Sequence, residues 1–163
     1  MATTKELLEM LDPKMRGYVM DFLTEINANE KYKYIIIETL RSEKKQKALY
    51  AQGRESLEVV NKLRADAGLP EISDKENLRV VTKTLNSRHF ANKDGFAEAF
   101  DIVAFDRQTG EVFWVDEPKR GATPYLLAYN ISAKYPFRAG FAWGWDLGHY
   151  EFAKQKGVEN EKD

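Results

Sequence analysis

Cysteine is absent from this 163-residue chain, and histidine occurs only twice. Without cysteine there is no disulfide, and any metal site must be built from histidine and carboxylates. An excess of charge is lacking too. Lys and Arg total 25 against 26 Asp and Glu, a net charge of −1, which argues against nucleic acid or an anionic membrane as partner. No run approaches the roughly 18 apolar residues of a membrane span, so no membrane insertion is expected. The opening MATTKELLEMLDPKMRGY is charged and does not read as a secretory signal. There is no internal repeat, low-complexity tract or Pro/Gly/Ser-rich linker. What is present is ordinary for a soluble globular protein, with 43% hydrophobic and 31% charged residues. The length suits a single domain over residues 1–163, with a polar tail from about 157.

The pattern predicts α+β: helices first, then a small, mainly antiparallel sheet. Leu7, Leu8, Met10 and Leu11 have helical spacing before Pro13. Met15, Val19, Phe22, Leu23 and Ile26 give a second helix from Pro13 to about Asn27. The β-branched run in residues 32–40 reads as a buried strand. Ser42 suits the cap of a third helix, and a fourth fits residues 55–68. Residues 79–83, 97–106 and 111–116 read as strands, with a hairpin turn at 107–110. Residues 123–134 read as a helix with Pro124 in its first turn. FAWGW and HYEF are expected as the last strand segments.

The chemistry-bearing residues are few. His89 and His149 with one carboxylate form a common protein set for a catalytic zinc with an open fourth position, although two histidines alone fit a satisfied core equally well. Asp101 lies in the apolar run Ala99–Phe105, where burying a carboxylate is costly unless it is paired or metal-bound. On a strand it shares a face with Ala99 and Val103, opposite Phe100 and Ile102. Asp146 and His149 form D-x-x-H, a spacing that lets one residue hold a metal and the other act as a base. Trp143 and Trp145 flank that motif and belong either to a cleft or to the core.

These motifs resemble a family of zinc peptidases. It includes D-alanyl-D-alanine carboxypeptidases, vancomycin-resistance D,D-peptidases and phage L-alanyl-D-glutamate endolysins. The family's S-x-H-x-x-G-x-A-x-D is matched at its start by Ser87-Arg88-His89 and at its end by Ala97-Glu98-Ala99-Phe100-Asp101. Its D/E-x-x-H is matched by Asp146-Leu147-Gly148-His149. Arg41-Ser42, Gln46 and the run Leu49-Tyr50-Ala51-Gln52-Gly53-Arg54 are similar to the endolysin branch. One departure stands out: Asp101 follows His89 by twelve residues where the family has seven. The extra residues fall in FANKDG, and Asp94 thereby becomes a rival ligand.

The resemblance implies a hedgehog/D,D-peptidase-like fold and one Zn2+ per chain, held by His89, Asp101 and His149. It implies Asp146 as general base and Arg41 as the group that polarises the scissile carbonyl. Gln46 and Arg54 would contact substrate or brace Arg41, and Ser87 would orient a ligand through a hydrogen bond. The substrate would be bacterial peptidoglycan, cut at the L-alanyl-D-glutamate bond by a monomeric endolysin. Such an enzyme waits in the host cytoplasm until a holin releases it to the periplasm and wall. A D-alanyl-D-alanine carboxypeptidase, or an inert zinc-containing wall-binding module, are the alternatives.

Overall fold

Four helices begin where a short polar side chain can accept an otherwise unpaired backbone N–H. Thr3 caps α1 (Thr4–Glu9), Asp12 caps α2 (Pro13–Ile26), Ser42 caps α3 (Glu43–Ala51) and Ser56 caps α4 (Leu57–Asp66). Pro13 occupies the first turn of α2, where its missing N–H costs nothing. The computed structural model describes residues 2–83, 85–115 and 118–153, of which 118–121 are described by backbone alone.

The remaining elements are β1 (Tyr32–Glu38), β2 (Ala99–Asp106), β3 (Val112–Phe113), α5 (Pro118–Ser132), β4 (Phe137–Ala139) and β5 (His149–Phe152). The architecture is α+β, as the pattern predicts. The sheet runs β1-β2-β5-β4, with β3 also on β2, and every pairing is antiparallel. One face of the sheet meets α1, α2 and α5. Leu11, Met15, Val19, Phe22 and Ile26 are fully buried there against Phe100, Ile102 and Tyr150. Each such side chain contributes roughly 1.5–3 kcal/mol through burial, and together they fix which face of β2 and β5 is left for chemistry.

Several elements differ from expectation. β1 is an edge strand with alternating burial, and Ile37 is exposed. Its β-branched run therefore covers one face only. Residues 79–83 join no sheet. One side chain within α3 and one just after it hold this segment in place of a ladder: Gln46 Nε2 donates to Thr82 Oγ1 (3.2 Å) and Arg54 Nη1 to the Thr82 carbonyl (2.9 Å). Gly53 has φ +81°, and a Cβ there would sit 2.8 Å from the Val80 nitrogen. The Gln-Gly-Arg stretch thus permits this close passage. FAWGW is not a strand: Gly140–Trp143 form a 3-10 turn, and the strand lies just before them as β4. The last helix begins at Pro118, which leaves Pro124 in its interior, where it forgoes one intrahelical hydrogen bond. The Pro124 carbonyl, a separate group, accepts from Tyr34 Oη at 2.6 Å.

Tyr150 is fully buried, and its hydroxyl has no hydrogen-bond partner among the described residues. Such a donor costs about 1–3 kcal/mol. Tyr150→Phe is accordingly expected to leave stability unchanged or to raise Tm by roughly 2–4 °C. A Tm well below wild type in thermal unfolding would show that the hydroxyl is satisfied.

Candidate metal centre

The site face follows from strand period two and the register of three strands. Asp101 on β2 is paired with Glu38 on β1 and with His149 on β5. Ala99 is paired with Glu151, and Glu151 with Arg138 of β4. Phe100 and Tyr150 alternate with these residues and point into the core. The result is a polar row across a sheet whose other face is apolar. His89 is delivered by the loop before β2. That loop is tied to the end of β1, because the Arg41 backbone N–H donates to the His89 carbonyl at 2.7 Å.

Three donor atoms converge. His89 Nε2 lies 3.3 Å from His149 Nδ1 and 3.3 Å from Asp101 Oδ1, and His149 Nδ1 lies 3.0 Å from Asp101 Oδ1. Both imidazoles are buried. The second nitrogen of each ring is already committed. His89 Nδ1–H donates to the Thr39 carbonyl at 2.6 Å, and His149 Nε2–H donates to Glu151 Oε1 at 3.0 Å. In the neutral rings both lone pairs therefore face each other and the Asp101 carboxylate, an arrangement that is favourable only around a cation. This triad can hold a metal ion.

The same convergence also favours a proton on His149, which competes with a metal ion for Nδ1. Burial works against a charged His149, yet its hydrogen bonds to Asp101 and Glu151 push it up to about 10. Burial likewise opposes ionisation of Asp101, but His89 and His149 hold its carboxyl well below the usual range. Asp146 goes the other way. Burial first, then the Asp101 charge, raise it to about 6, against the pull of His149, His89 and Arg41.

Asp146 sits in a tight turn that leads into β5, where the His149 N–H donates to its carbonyl at 3.2 Å. Two glycines allow that turn. A Cβ on Gly140 would lie 2.2 Å from the Asp146 carbonyl oxygen and 2.9 Å from Asp146 Cβ. A Cβ on Gly148 would lie 2.3 Å from the Ile102 carbonyl oxygen, and that same residue's N–H donates to the Gly148 carbonyl. The backbone carrying Asp146 is thus wedged between the 3-10 turn and β2.

Arg41 lies at the rim, its Nη2 3.7 Å from Asp101 Oδ2. Its guanidinium is ion-paired with Glu38 and donates to Gln46 Oε1 at 2.6 Å. Gln46 is fully buried and links Arg41 to Thr82, so of the two roles open to it the geometry shows bracing. Arg54 also braces. It donates to the Tyr50 and Thr82 carbonyls and lies over the Tyr50 ring, away from the cavity. Ser87 lines the cavity, but its hydroxyl accepts from the His89 backbone N–H (3.1 Å). It shapes the turn that presents the ligand and leaves the imidazole to Thr39.

The additional loop residues form a self-contained turn. Asn92 Oδ1 accepts from the Asp94 and Phe96 N–H groups, while Asn92 Nδ2 donates to Asp12 Oδ2 at 2.8 Å. Asp94 is exposed at the cavity rim and lies outside the donor cluster. An insertion closed on itself in this way leaves the start of β2, and with it Asp101, in place.

Sequence reading missed Thr39 and Glu151, the partners that set the two tautomers. Glu151 had a signal, since it stands two residues from His149 on one strand and so shares its face. Thr39 acts through its backbone carbonyl and had none. Glu151 is held by Arg138 at 2.7 Å, and His149 and Arg138 keep it ionised against its burial. Glu151→Gln is expected to weaken metal binding by about 10–100-fold. An unchanged affinity in a competitive chelator titration would show that Glu151 does not orient His149.

A cavity of about 1520 Å³ opens over the cluster and includes Arg41, Lys83, Trp143, Trp145 and Asp146 in its lining. Both tryptophans belong to the cleft: Trp143 is 45% and Trp145 39% exposed. In comparisons with known proteins, the chain matches no family model and no curated protein.

Proposed function

We propose that this protein is a zinc peptidase of the bacterial cell wall that hydrolyses the L-alanyl-D-glutamate bond of peptidoglycan stem peptides. The observation that carries the reading is the convergence of His89 Nε2, His149 Nδ1 and Asp101 Oδ1 at 3.0–3.3 Å, on the wall of a cavity that also contains Asp146 and Arg41. A tetrahedral ion about 2.0–2.1 Å from each donor spaces the donors about 3.3 Å apart. Two nitrogens and one carboxylate suit zinc, whereas calcium takes six to eight oxygens.

When bound, zinc supplies Lewis acidity, polarising a carbonyl and lowering the pKa of water toward about 7. The protein's own groups carry the rest. Asp146, raised toward neutrality, takes the proton of the attacking water and returns it to the leaving amine. Arg41 is held by Glu38 and Gln46 with its guanidinium toward the cavity, where it stabilises negative charge developing on the scissile oxygen. Asp146 also speaks against an inert wall-binding module, which has no use for a base beside the metal. The resemblance to phage endolysins extends the proposal to a monomer held in the host cytoplasm and released to the wall by a holin.

The test is digestion of purified peptidoglycan followed by mass spectrometry. New L-alanine C-termini and D-glutamate N-termini are expected. Release of free D-alanine alone would replace this reading with the carboxypeptidase one.

A further inference from the structure

Large aromatic side chains normally lose by facing water, and contiguous exposed apolar surface marks a binding site. Trp143 and Trp145 are such a pair. Their ring centroids are 6.0 Å apart at an interplanar angle of 33°, and both line the cavity above the metal cluster. Trp143 lies 5.4 Å from the His149 ring, so the pair begins at the metal ligand and leads away from it. Lys83 Nζ lies over the Trp145 ring, 4.8 Å from its centroid, so a cation sits on one face of this tryptophan. The 3-10 turn at Gly140–Trp143 presents the pair, and Gly144 closes it in the left-handed region at φ +84°.

We propose that Trp143 and Trp145 form a subsite for the amino sugar that carries the stem peptide, on the ring surface that Lys83 leaves open. A pyranose has an apolar C–H face that lies flat on indole rings, and its hydroxyl and acetamido groups point outward. The inference rests on the peptidase reading and narrows it, because reach decides which bond can be cut. The stem peptide joins the sugar through a lactyl group followed by L-alanine. The carbonyl of the first peptide bond is therefore about 7 Å from the sugar, two residue lengths. The D-alanyl-D-alanine bond lies three residues further on, roughly 10 Å more. Aromatic rings that start beside His149 can hold the sugar only while the first bond lies at the metal.

Two measurements test this. Intrinsic tryptophan fluorescence is titrated with the GlcNAc–MurNAc disaccharide, which needs no cleavage. A saturable change is expected, and it is lost in Trp145→Ala and retained in part in Trp145→Phe, with metal content as the check on folding. Cleavage is then compared between a disaccharide-bearing stem peptide and the same peptide freed of its sugar. The sugar-bearing substrate is expected to have a KM lower by about 10-fold, and Trp145→Ala to erase that gap. Cleavage of both substrates with equal KM and no saturable fluorescence change overturns the subsite and leaves the peptidase reading standing. Saturable disaccharide binding without cleavage of either substrate keeps the subsite and overturns the peptidase.

Discussion

Asp146→Ala is expected to reduce peptidoglycan hydrolysis by about 10²–10⁴-fold, the usual contribution of a positioned general base, while the protein keeps about one metal ion per chain. The expectation rests on a separation of roles within four residues. His149 contributes a donor atom at 3.0–3.3 Å from the other two, whereas Asp146 is outside that triad and lines the cavity. Its carboxyl is raised to about 6 by burial and by the Asp101 charge, and it is carried on backbone that Gly140 and Gly148 allow to pack without Cβ collisions. Turbidity loss of purified wall measures the rate, and metal analysis on the same sample measures retention. Normal hydrolysis by the variant would refute the mechanism. Loss of metal together with activity would show that Asp146 is itself a ligand.

Removing a donor is expected to act on both quantities. His89→Ala and His149→Ala should lose the metal and with it all measurable cleavage, as should treatment of the wild-type protein with a chelator. Zinc should restore only the chelated wild type. The physical reason is the crowding of lone pairs. With Thr39 and Glu151 holding the outer N–H groups, two imidazole lone pairs and the Asp101 carboxylate face one another at close range. A metal ion relieves that crowding, as a proton on His149 also does. Metal bound to the folded chain alone also stabilises it, by about 4 kcal/mol when free metal is 1,000 times its Kd. Tm should therefore fall on chelation. Binding should weaken in acid, because protons compete for the same nitrogens. Full activity after exhaustive chelation would exclude a metal mechanism.

Much of this site could be read from the chain. Without cysteine the donors had to be histidine and carboxylate, but only the ordered motifs singled out His89, Asp101 and His149. Strand period alone placed Asp101 on the face away from Phe100 and Ile102, and the register with β5 agrees. The rivalry between Asp94 and Asp101 could not be resolved along the sequence, since it turned on whether residues 90–95 close on themselves. They do so through Asn92 and a tie to Asp12, about 80 residues earlier. The reading of residues 79–83 as a strand failed for a related reason. Their extended β-type pattern was legible, but the partners were the Gln46 side chain of α3 and Arg54 beyond it, not a strand.

What the sequence determines by itself is local. Thr3, Asp12, Ser42 and Ser56 start helices because a cap needs only neighbouring N–H groups. The Asp106–Gly110 turn closes a hairpin for the same reason. The tertiary structure decides which nitrogen of each histidine is free, how Arg41 is held and that Trp143 and Trp145 face the cavity. Those outcomes depend on contacts such as His89 with Thr39, 50 residues apart, or on packing across strands. Hydrogen bonds and burial act through space, so a one-dimensional pattern can supply the donors and leave their aim to the fold.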